Sequence, residues 1–383
     1  MENRYDLVVV GAGILGVFHA FHASKLGKRV LLLERNSKPF QATVRNFGQV
    51  VPSGLAPGRW RNYGKKSLEF YNKLQEKADF SIRAFGSLYV ASNSQELGII
   101  EEMQQINDLD GYESHIWTKQ QCLDYNPNLN KDYCKGGLYF PNDLSADPRK
   151  LVFKVIDYLC ENYKLDYRSN CQVHHIEDND DHVVIKTSAN ESFKANYSIF
   201  CGGHEFKTLF PNEFEDSKIE VTKLNMMVTE PLSSVKIKGN LLTGLTIRRY
   251  EAFQSCPSFN DLVADSYLSE LQSKGIHLLF KQSDDGSIII GDSHDYSPYN
   301  LQEALGFGID MKINRMMLKE AARILDLPKF NINETWSGIY SQCKEGLFDK
   351  CIGNNIRIIT AIGGKGMTAS GGLAHETIEN LYK

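Results

Sequence analysis

Apolar residues form short runs along the chain, separated by polar and glycine-rich stretches. The first run, Leu7–Val10, is unbroken and rich in valine, which predicts a strand buried in a parallel sheet. Phe18–Leu26 predicts a helix that ends at Gly27, and Val30–Leu33 predicts a second buried strand. The N-terminal segment is therefore predicted to fold as a strand–helix–strand unit.

Further apolar runs occur in the middle and at the far end of the chain. Tyr197–Phe200 and Ile356–Ile362 predict two more buried strands, and 300–326 predicts helix. Four other runs have strand-like composition. They are Gly86–Ala91, Lys223–Thr229, His277–Lys281 and Ser287–Gly291.

A GxGxxG pattern, Gly11, Gly13 and Gly16, lies between the first predicted strand and the helix. These glycines allow a tight turn, close approach of the backbone to a pyrophosphate, and close helix–strand packing, and the helix start stabilises the phosphate charge. Glu34 lies 18 residues after Gly16, where it can accept hydrogen bonds from a ribose 2′-hydroxyl and disfavours NADP. The unit predicts a bound dinucleotide without separating FAD from NAD.

The composition of the 383 residues, 42% hydrophobic and 23% charged, is typical of a globular protein of two domains. The net charge of −4 gives no reason to expect a nucleic acid partner. Eight scattered cysteines without a CxxC pair predict reduced thiols and no metal site. No signal-peptide pattern occurs, and no stretch approaches the roughly 18 apolar residues of a membrane helix, so we expect a cytoplasmic protein without a membrane span.

A second glycine-rich loop, Gly363–Ser370, follows the last predicted strand and leads into a helix. Such a loop is another place where backbone N–H groups stabilise negative charge. A reduced isoalloxazine ring carries negative charge near its N1 and O2 atoms, whereas an NAD dehydrogenase seldom needs a loop of this kind at its C-terminus. The two loops together favour FAD.

Four motifs resemble the superfamily of D-amino-acid oxidase, glycine oxidase and sarcosine oxidase, the DAO family of FAD-dependent oxidoreductases, over essentially the whole chain. They are VVVGAGILG (8–16) with Glu34, SIFCGGHEFKTL (198–209), WSGIYSQCKEG (336–346) and GGKGMTASGGLAHE (363–376). VRNFGQVVPSG (44–54), TIRRYEAFQSCPS (246–258) and GGKGMT further resemble a subgroup associated with phosphonate catabolism.

The resemblance implies an α/β fold, α+β overall, with two domains that are discontinuous in sequence. A Rossmann-like FAD-binding domain is expected from 1–80, 136–210 and 335–383. A substrate domain with an antiparallel sheet over the flavin is expected from 81–135 and 211–334. The four strand-like runs fit that sheet.

The resemblance also implies which residues contact FAD. Gly11–Gly16 form the first loop, Glu34 and Arg35 flank the adenosine ribose, and the backbone of Val173 meets the adenine. Gly338 falls where sarcosine-oxidase relatives carry the attaching cysteine, and Cys343 lies nearby, so non-covalent FAD is expected. The full expected set is Gly11, Ala12, Gly13, Ile14, Leu15, Gly16, Glu34, Arg35, Arg45, Asn46, Val173, Gly202, Gly203, Gly364, Lys365, Gly366, Met367 and Thr368.

The expected catalytic residues are Arg45 and Asn46, where the family's chain passes the flavin ring, and Lys365, which would stabilise reduced flavin and activate O2. Amino-acid oxidases of the family carry a carboxylate-binding arginine after the Trp-x-Gly stretch, but here Trp336-Ser337-Gly338-Ile339 is followed by Tyr340. This departure disfavours a plain α-amino acid. Arg248, Arg249 and Tyr250, predicted on a strand, and Tyr340 are therefore the expected ligands of a substrate anion.

By resemblance, the protein oxidises the C–N bond of a small amine with an anionic tail. The sharpest hypothesis is an aminoalkylphosphonate or its N-methyl form, with hydride transfer to flavin N5, hydrolysis of the imine to an aldehyde and reoxidation by O2 to H2O2. The alternatives are a glycine, sarcosine or D-amino-acid oxidase, and a dehydrogenase that passes electrons to a quinone or carrier protein. A tRNA-modifying flavoprotein and a non-catalytic nucleotide-binding protein are disfavoured by the charge and by the second glycine loop.

Overall fold

The computed structural model describes residues 4–383, which form three β-sheets with helices packed against them. This mixed α/β architecture confirms the predicted fold class. The strands are β1 Arg4–Val10, β2 Val30–Leu33, β3 Gln49–Val50, β4 Ile82–Arg83, β5 Ser87–Ala91, β6 His115–Thr118, β7 Gly136–Phe140, β8 Leu144–Ala146, β9 Leu165–Arg168, β10 Val173–Asp178, β11 Val183–Thr187, β12 Ser192–Phe200, β13 Glu220–Thr229, β14 Asn240–Leu242, β15 Leu279–Gln282, β16 Ile288–Gly291, β17 Asp295–Pro298, β18 Ile332–Gln342, β19 Phe348–Ile352 and β20 Ile356–Thr360. The α-helices are α1 Ile14–Lys25, α2 Arg59–Gln75, α3 Ser94–Leu109, α4 Lys119–Tyr125, α5 Pro148–Asn162, α6 Pro211–Phe214, α7 Gly244–Ile247, α8 Ser266–Ser273, α9 Met311–Ile324 and α10 Gly366–Leu381.

The first sheet has a parallel core in the order β9, β2, β1, β12 and β20. Val8 at its centre is paired with Leu31 of β2 on one side and with Ser198 of β12 on the other. All four residues of β2 are buried, which is why its sequence is an uninterrupted apolar run. The predicted strand–helix–strand unit is confirmed as β1, α1 and β2.

Helices α1, α2 and α10 pack together over one face of this sheet. The rings of Phe18 in α1 and Tyr71 in α2 meet edge to face, with centroids 5.3 Å apart. The Tyr71 hydroxyl donates to the Met367 carbonyl at 2.8 Å, and the Gly372 amide donates to Ser67 Oγ at 2.9 Å. Burial of each large apolar side chain here contributes roughly 1.5–3 kcal/mol. The C-terminal helix is thus part of the main hydrophobic core.

The second sheet contains nine strands in the order β17, β13, β16, β15, β14, β5, β7 and β6, with β18 paired to β13. Every pairing is antiparallel except that of β14 with β5. The four strand-like runs predicted for the substrate sheet lie in it as β5, β13, β15 and β16. A short third sheet consists of β3, β8 and β4, in that order.

Two strands depart from the predicted domain boundaries. Strand β7 pairs with β5, and β18 pairs with β13, so both belong to the second sheet. Residues 136–210 and 335–383 were predicted to belong to the FAD-binding domain. After residue 136, the next strand of the first sheet is β9. After residue 335, the next strand of the first sheet is β19. Among residues 4–383, no helix is long and apolar enough to cross a membrane.

Candidate functional site

A cavity of about 640 Å³ lies at the carboxyl ends of the parallel strands of the first sheet. Its wall includes the last residues of β1, β2, β12 and β20 and the loops that follow them. Open α/β sheets bind ligands at this edge. Residues of the second sheet, including Leu224, Leu279 and Tyr340, complete the wall, so the cavity lies between the two large sheets.

The first glycine loop forms one part of this wall, through Gly11, Gly13, Ile14 and Leu15. Gly11 has φ 105°, and a Cβ atom on it would lie 2.3 Å from the Cys201 carbonyl oxygen. A Cβ on Gly16 would lie 1.9 Å from the Gly11 carbonyl oxygen. Only glycine fits either position, and the loop keeps its backbone against the cavity as a pyrophosphate requires. Ala12 and Gly16 support the loop without lining the cavity.

Glu34 ends β2 inside the cavity, with 7% of its surface exposed. Its carboxylate accepts hydrogen bonds from the Ala12 amide at 3.2 Å and from the Asn36 amide at 3.0 Å. Arg35 lines the cavity beside it and pairs with Glu205 at 2.8 Å. The structure also brings three further predicted cofactor residues to the same cavity, which are Val173, Gly202 and Gly203.

The second glycine loop reaches the cavity from the other end of the chain. Gly364 to Thr368 all line it, and α10 begins there at Gly366. Thr368 Oγ1 accepts from the Val51 amide at 3.0 Å, which fixes the start of the helix. The cavity therefore contains two helix N-termini, a carboxylate at the end of β2 and a volume for an elongated ligand. These features fit a dinucleotide with a charged ring system such as FAD.

Lys365 is not a free cation. Its Nζ lies 2.9 Å from Glu251 Oε1 and 5.2 Å from the centre of the Trp60 ring. Only 15% of its side chain is exposed. The structure places Lys365 on the cavity wall and adds Glu251 as a partner that the sequence did not suggest.

Arg45 and Asn46 also line the cavity, in the loop after β2. Arg45 donates to the carbonyl oxygens of Phe40 at 2.9 Å and of Ser337 at 3.2 Å, and burial lowers the pKa of its guanidinium. Asn46 Nδ2 donates to the Ala42 carbonyl at 2.8 Å, so its amide shapes the loop locally. Arg45 therefore links the first-sheet loop to β18 through neutral acceptors and keeps its positive charge at the cavity.

The segment around Arg248 is not the strand that we predicted. Helix α7 ends at Ile247, and Arg248 caps it. The Arg248 side chain turns into the second-sheet core, where its Nε lies 2.6 Å from Glu96 Oε1. Arg248 does not line the cavity, whereas Arg249 and Tyr250 do. Consecutive residues at a helix end diverge around its axis, so Arg248 points away from the cavity, and the strand predicted for this segment was wrong.

Arg249 is half-buried, and its Nη2 donates to the Tyr296 hydroxyl at 2.5 Å. Burial opposes its charge, but the neighbouring hydroxyls of Tyr296 and Tyr340 and the carboxyl of Asp292 raise the pKa of its guanidinium. It makes no ion pair with another residue of the described chain. The geometry gives this part of the cavity a permanent positive charge.

Tyr340 extends from β18 to the cavity, and its hydroxyl group donates its proton in a hydrogen bond to His294. His294 Nδ1 lies 3.3 Å from the Gly275 carbonyl oxygen, which only accepts, so this nitrogen carries the proton. Burial lowers the pKa of His294 to about 3, so the ring is neutral and Nε2 accepts from the Tyr340 hydroxyl at 2.9 Å. Tyr340 therefore offers lone pairs to the cavity, an arrangement that does not favour the role of anion ligand predicted for this residue.

Asp292 and the two histidines beside it are cavity residues that were not predicted from the sequence. The Asp292 side chain is 10% exposed, and its Oδ1 lies 3.2 Å from His277 Nδ1 and 3.9 Å from His294 Nδ1. Burial raises the pKa of Asp292 to about 7 and lowers the pKa of His277 well below its usual value. The backbones of His277 and Asp292 exchange two hydrogen bonds of 3.1 Å. The strand-like runs predicted at His277–Lys281 and Ser287–Gly291 pair as the antiparallel strands β15 and β16, and this pairing brings the two side chains together.

This group, His277, Asp292 and His294, is the arrangement within residues 4–383 that most resembles a metal site, with ligand atoms within 4.8 Å of one another. We predicted no metal. Both nitrogens of His294 already have protein partners, so two free ligand atoms remain, fewer than the three or four protein ligands of zinc sites. The positive charge of Arg249 further disfavours a metal cation. The group is better suited to binding protons.

The position expected for covalent attachment is Gly338, which has no side chain to attach a flavin. Cys343 lies outside the cavity wall, and its Sγ faces the Ala361 carbonyl oxygen at 3.8 Å. This placement agrees with non-covalent binding of FAD.

Comparison with known proteins identifies the family of this chain. The DAO family model, described as FAD dependent oxidoreductase, matches residues 6–380. The chain belongs to this family. It is therefore an FAD-dependent oxidoreductase, and the two glycine loops are the elements that would hold FAD.

Individual relatives are distant. The chain is 22% identical to one subunit of an opine oxidase from Rhizobium meliloti over 355 residues, 89% of this chain and 83% of the relative. It is 23% identical to a glycerol 3-phosphate dehydrogenase of Caloramator mitchellensis over 221 residues, 57% of this chain, and this match spans only 45% of that protein. The structure of glycine oxidase from Geobacillus kaustophilus superposes with a TM-score of 0.77 at 16% identity, covering 99% of this chain and 94% of the other. This last likeness shows the shared fold.

Proposed function

We propose that the protein oxidises the C–N bond of a small amine that carries an anionic tail, with an aminoalkylphosphonate or its N-methyl form as the leading substrate class. The observation that carries this proposal is Arg249, a half-buried guanidinium on the cavity wall without a carboxylate partner among residues 4–383. A cation held in low dielectric surroundings strongly favours an anionic ligand. Arg45 adds a second positive charge at the same cavity.

The chemistry requires a neutral amine. FAD, when bound, supplies the acceptor for the hydride that leaves the carbon bearing nitrogen, and it passes the electrons to O2, which becomes H2O2. The chain's own residues bind the substrate tail, exclude water and lower the amine's affinity for its proton by burial. The imine product takes up water and releases an aldehyde and the amine or ammonia.

The names of similar proteins support both the amine and the anionic tail of the proposed substrate. Glycine oxidase is named for an amine, and glycerol 3-phosphate dehydrogenase is named for a substrate with a phosphate tail. A phosphonate dianion presents the same oxygens to a guanidinium as a phosphate. The phosphonate itself rests on the subgroup resemblance and on Arg249.

Oxidation of glycine, sarcosine or a D-amino acid is the second candidate, since a carboxylate also fits a guanidinium. It is disfavoured because Tyr340 occupies the position of the family's carboxylate-binding arginine and has its proton committed to His294. A dehydrogenase with a quinone or carrier-protein acceptor would share the same first half-reaction. It would differ in producing little H2O2 in air.

The test is a substrate screen on the purified flavoprotein, following loss of the flavin's visible absorbance without oxygen. The panel contains 2-aminoethylphosphonate, its N-methyl form, glycine, sarcosine and several D-amino acids. We expect bleaching by the phosphonates and little by the amino acids. Bleaching by amino acids alone would reject the phosphonate substrate and leave amine oxidation standing. Peroxide formed on admitting air separates an oxidase from a dehydrogenase.

A further inference from the structure

One region of the cavity wall presents hydrogen-bond acceptors in place of donors. Asp292 Oδ1 and His277 Nδ1 are both buried without a hydrogen-bond partner among residues 4–383, although they lie 3.2 Å apart. The Tyr340 hydroxyl donates to His294 and so turns only lone pairs towards the cavity. Unpartnered buried polar atoms are costly, which indicates that a ligand satisfies them.

We propose that Asp292 binds the substrate's ammonium group and takes its proton, with His277 and Tyr340 completing the acceptor set. This inference rests on the proposed amine substrate. It assigns a catalytic base to the reaction, where burial of the amine alone could otherwise supply the neutral form.

The proton step is a simple transfer. The N–H bond of the ammonium breaks, its electron pair stays on nitrogen, and the proton binds Asp292 Oδ1. The carboxylate becomes a neutral carboxyl and the amine becomes neutral, so no buried net charge is created. His277 Nδ1, 3.2 Å away, is the nearest group to which the carboxyl can then donate. A neutral pair is favoured over an ion pair when both groups leave water.

The surroundings of Asp292 suit this role. Its pKa is raised to about 7 by burial, so a large share of it is ionised at neutral pH and it accepts a proton readily. The positive charge of Arg249 stabilises the carboxylate form of Asp292 and so limits the rise in its pKa. The titratable groups that interact with Asp292 from the neighbouring elements are Arg249, Tyr250, His277, His294 and Tyr340. Both histidines are neutral because burial lowers the pKa of each ring.

The two charges of the site then match a zwitterion. Arg249 holds the anionic tail and Asp292 the ammonium, and both residues line one cavity between the sheets. An amine without an anionic tail would use only the second contact. An anion without an amine would meet the acceptor set and be repelled by it.

The experiment measures kcat/KM against pH for 2-aminoethylphosphonate and its N-methyl form, using the FAD-loaded wild type, Asp292→Asn, Asp292→Glu and Asp143→Asn. Asp143 is the matched control, because it is also a fully buried carboxyl with a pKa raised by burial to about 6, but it lies outside the cavity wall. Flavin content and melting temperature are recorded for each variant, so a folding failure is recognised independently of rate.

We expect the wild type to lose activity as pH falls through about 7, where Asp292 becomes protonated. In Asp292→Asn the loss at neutral pH should be about 100-fold, the lower end of general-base effects, and kcat/KM should climb about tenfold per pH unit towards the amine's own pKa. Asp292→Glu should restore part of the lost rate and the inflection. Asp143→Asn should keep the wild-type profile.

The outcomes separate the two proposals. A wild type that amines reduce, together with an Asp292→Asn variant that keeps the wild-type inflection and rate, overturns the base and leaves amine oxidation intact. If Asp292→Asn does not fold, the pH profile of wild-type kcat/KM is the deciding measurement. A profile without an inflection near neutral pH would overturn the proposal that Asp292 is the base. A wild type that no amine reduces overturns both.

Discussion

Arg248 Nε and Glu96 Oε1 lie 2.6 Å apart with side-chain exposures of 2% and 1%, between the end of α7 and the first turn of α3. Glu96 also accepts from the Ser92 amide at 2.8 Å. The neighbouring Arg249 faces the cavity instead. Two consecutive arginines therefore have different roles, one in the core of the second sheet and one at the substrate.

Arg248→Met should destabilise the fold by about 3–5 kcal/mol, because it leaves the Glu96 carboxylate buried without its cation. The free energy of unfolding in urea measures this. Arg168→Met is the control, since its partner Glu191 lies at 2.8 Å in an ion pair about half exposed, and the change should cost at most about 1 kcal/mol. Equal losses in the two variants would contradict a structural role for Arg248.

Gly16→Ala should abolish FAD binding, because the new Cβ would lie 1.9 Å from the Gly11 carbonyl oxygen and force the first loop apart. The ratio of flavin to protein absorbance after purification measures it. Gly98→Ala in α3 is the matched control, since nothing lies within 4 Å of its Cβ position. That variant should bind FAD normally and gain about 0.5–1 kcal/mol of stability. Full flavin content in Gly16→Ala would reject the loop as a binding element.

Arg249→Met should raise the KM for amines with an anionic tail by about 10- to 100-fold, the loss of one charge-assisted hydrogen-bonded contact. Arg249→Lys should recover part of it, because the charge returns without the planar fork. Propylamine, which has no anionic tail, is the control substrate. Because Arg249 also lowers the pKa of Asp292, rates are compared on the high-pH plateau of each protein's profile, where wild type and variants should oxidise propylamine about equally. A similar loss for both substrates would assign Arg249 a structural role.

Asp292→Asn should make the FAD-loaded protein more thermostable above neutral pH. Burial raises the pKa of Asp292 from 3.8 to about 7, so the folded state binds more protons than the unfolded state between these values. Wild-type stability from this carboxyl is complete below about pH 4 and is lost as pH rises to about 7, by roughly 4 kcal/mol. The melting temperature of the variant minus that of the wild type should grow across this range. A difference independent of pH would contradict the raised pKa.

The dinucleotide elements were predictable because their constraints are local. The short valine run, the glycines at 11, 13 and 16 and the acid at the end of β2 each have one physical reason, and all lie within a single strand–helix–strand unit. The second glycine loop could also be predicted from the sequence alone. These segments place most of the predicted FAD contacts on one cavity.

The substrate side was less predictable because it depends on tertiary register. The end of α7 determines whether Arg248 or Arg249 faces the cavity. The alternation of side chains in a strand does not apply there, because the segment is helical up to Ile247. Asp292 and His277 meet only through the pairing of β15 with β16. The Tyr340 hydroxyl presents only lone pairs to the cavity because its proton is donated to His294. That residue is 46 positions away, and no local sequence pattern connects the two.

The placement of α10 has a consequence for synthesis on the ribosome. This helix supplies Met367 and Gly372 to the packing of α2, and its first turn lies on the cavity wall beside a loop made at the other end of the chain. Strand β20, which precedes it, is a central strand pairing with β12. A nascent chain therefore lacks part of its hydrophobic packing and part of the cavity wall until α10 has emerged, and we expect stable cofactor binding to follow the synthesis of that helix.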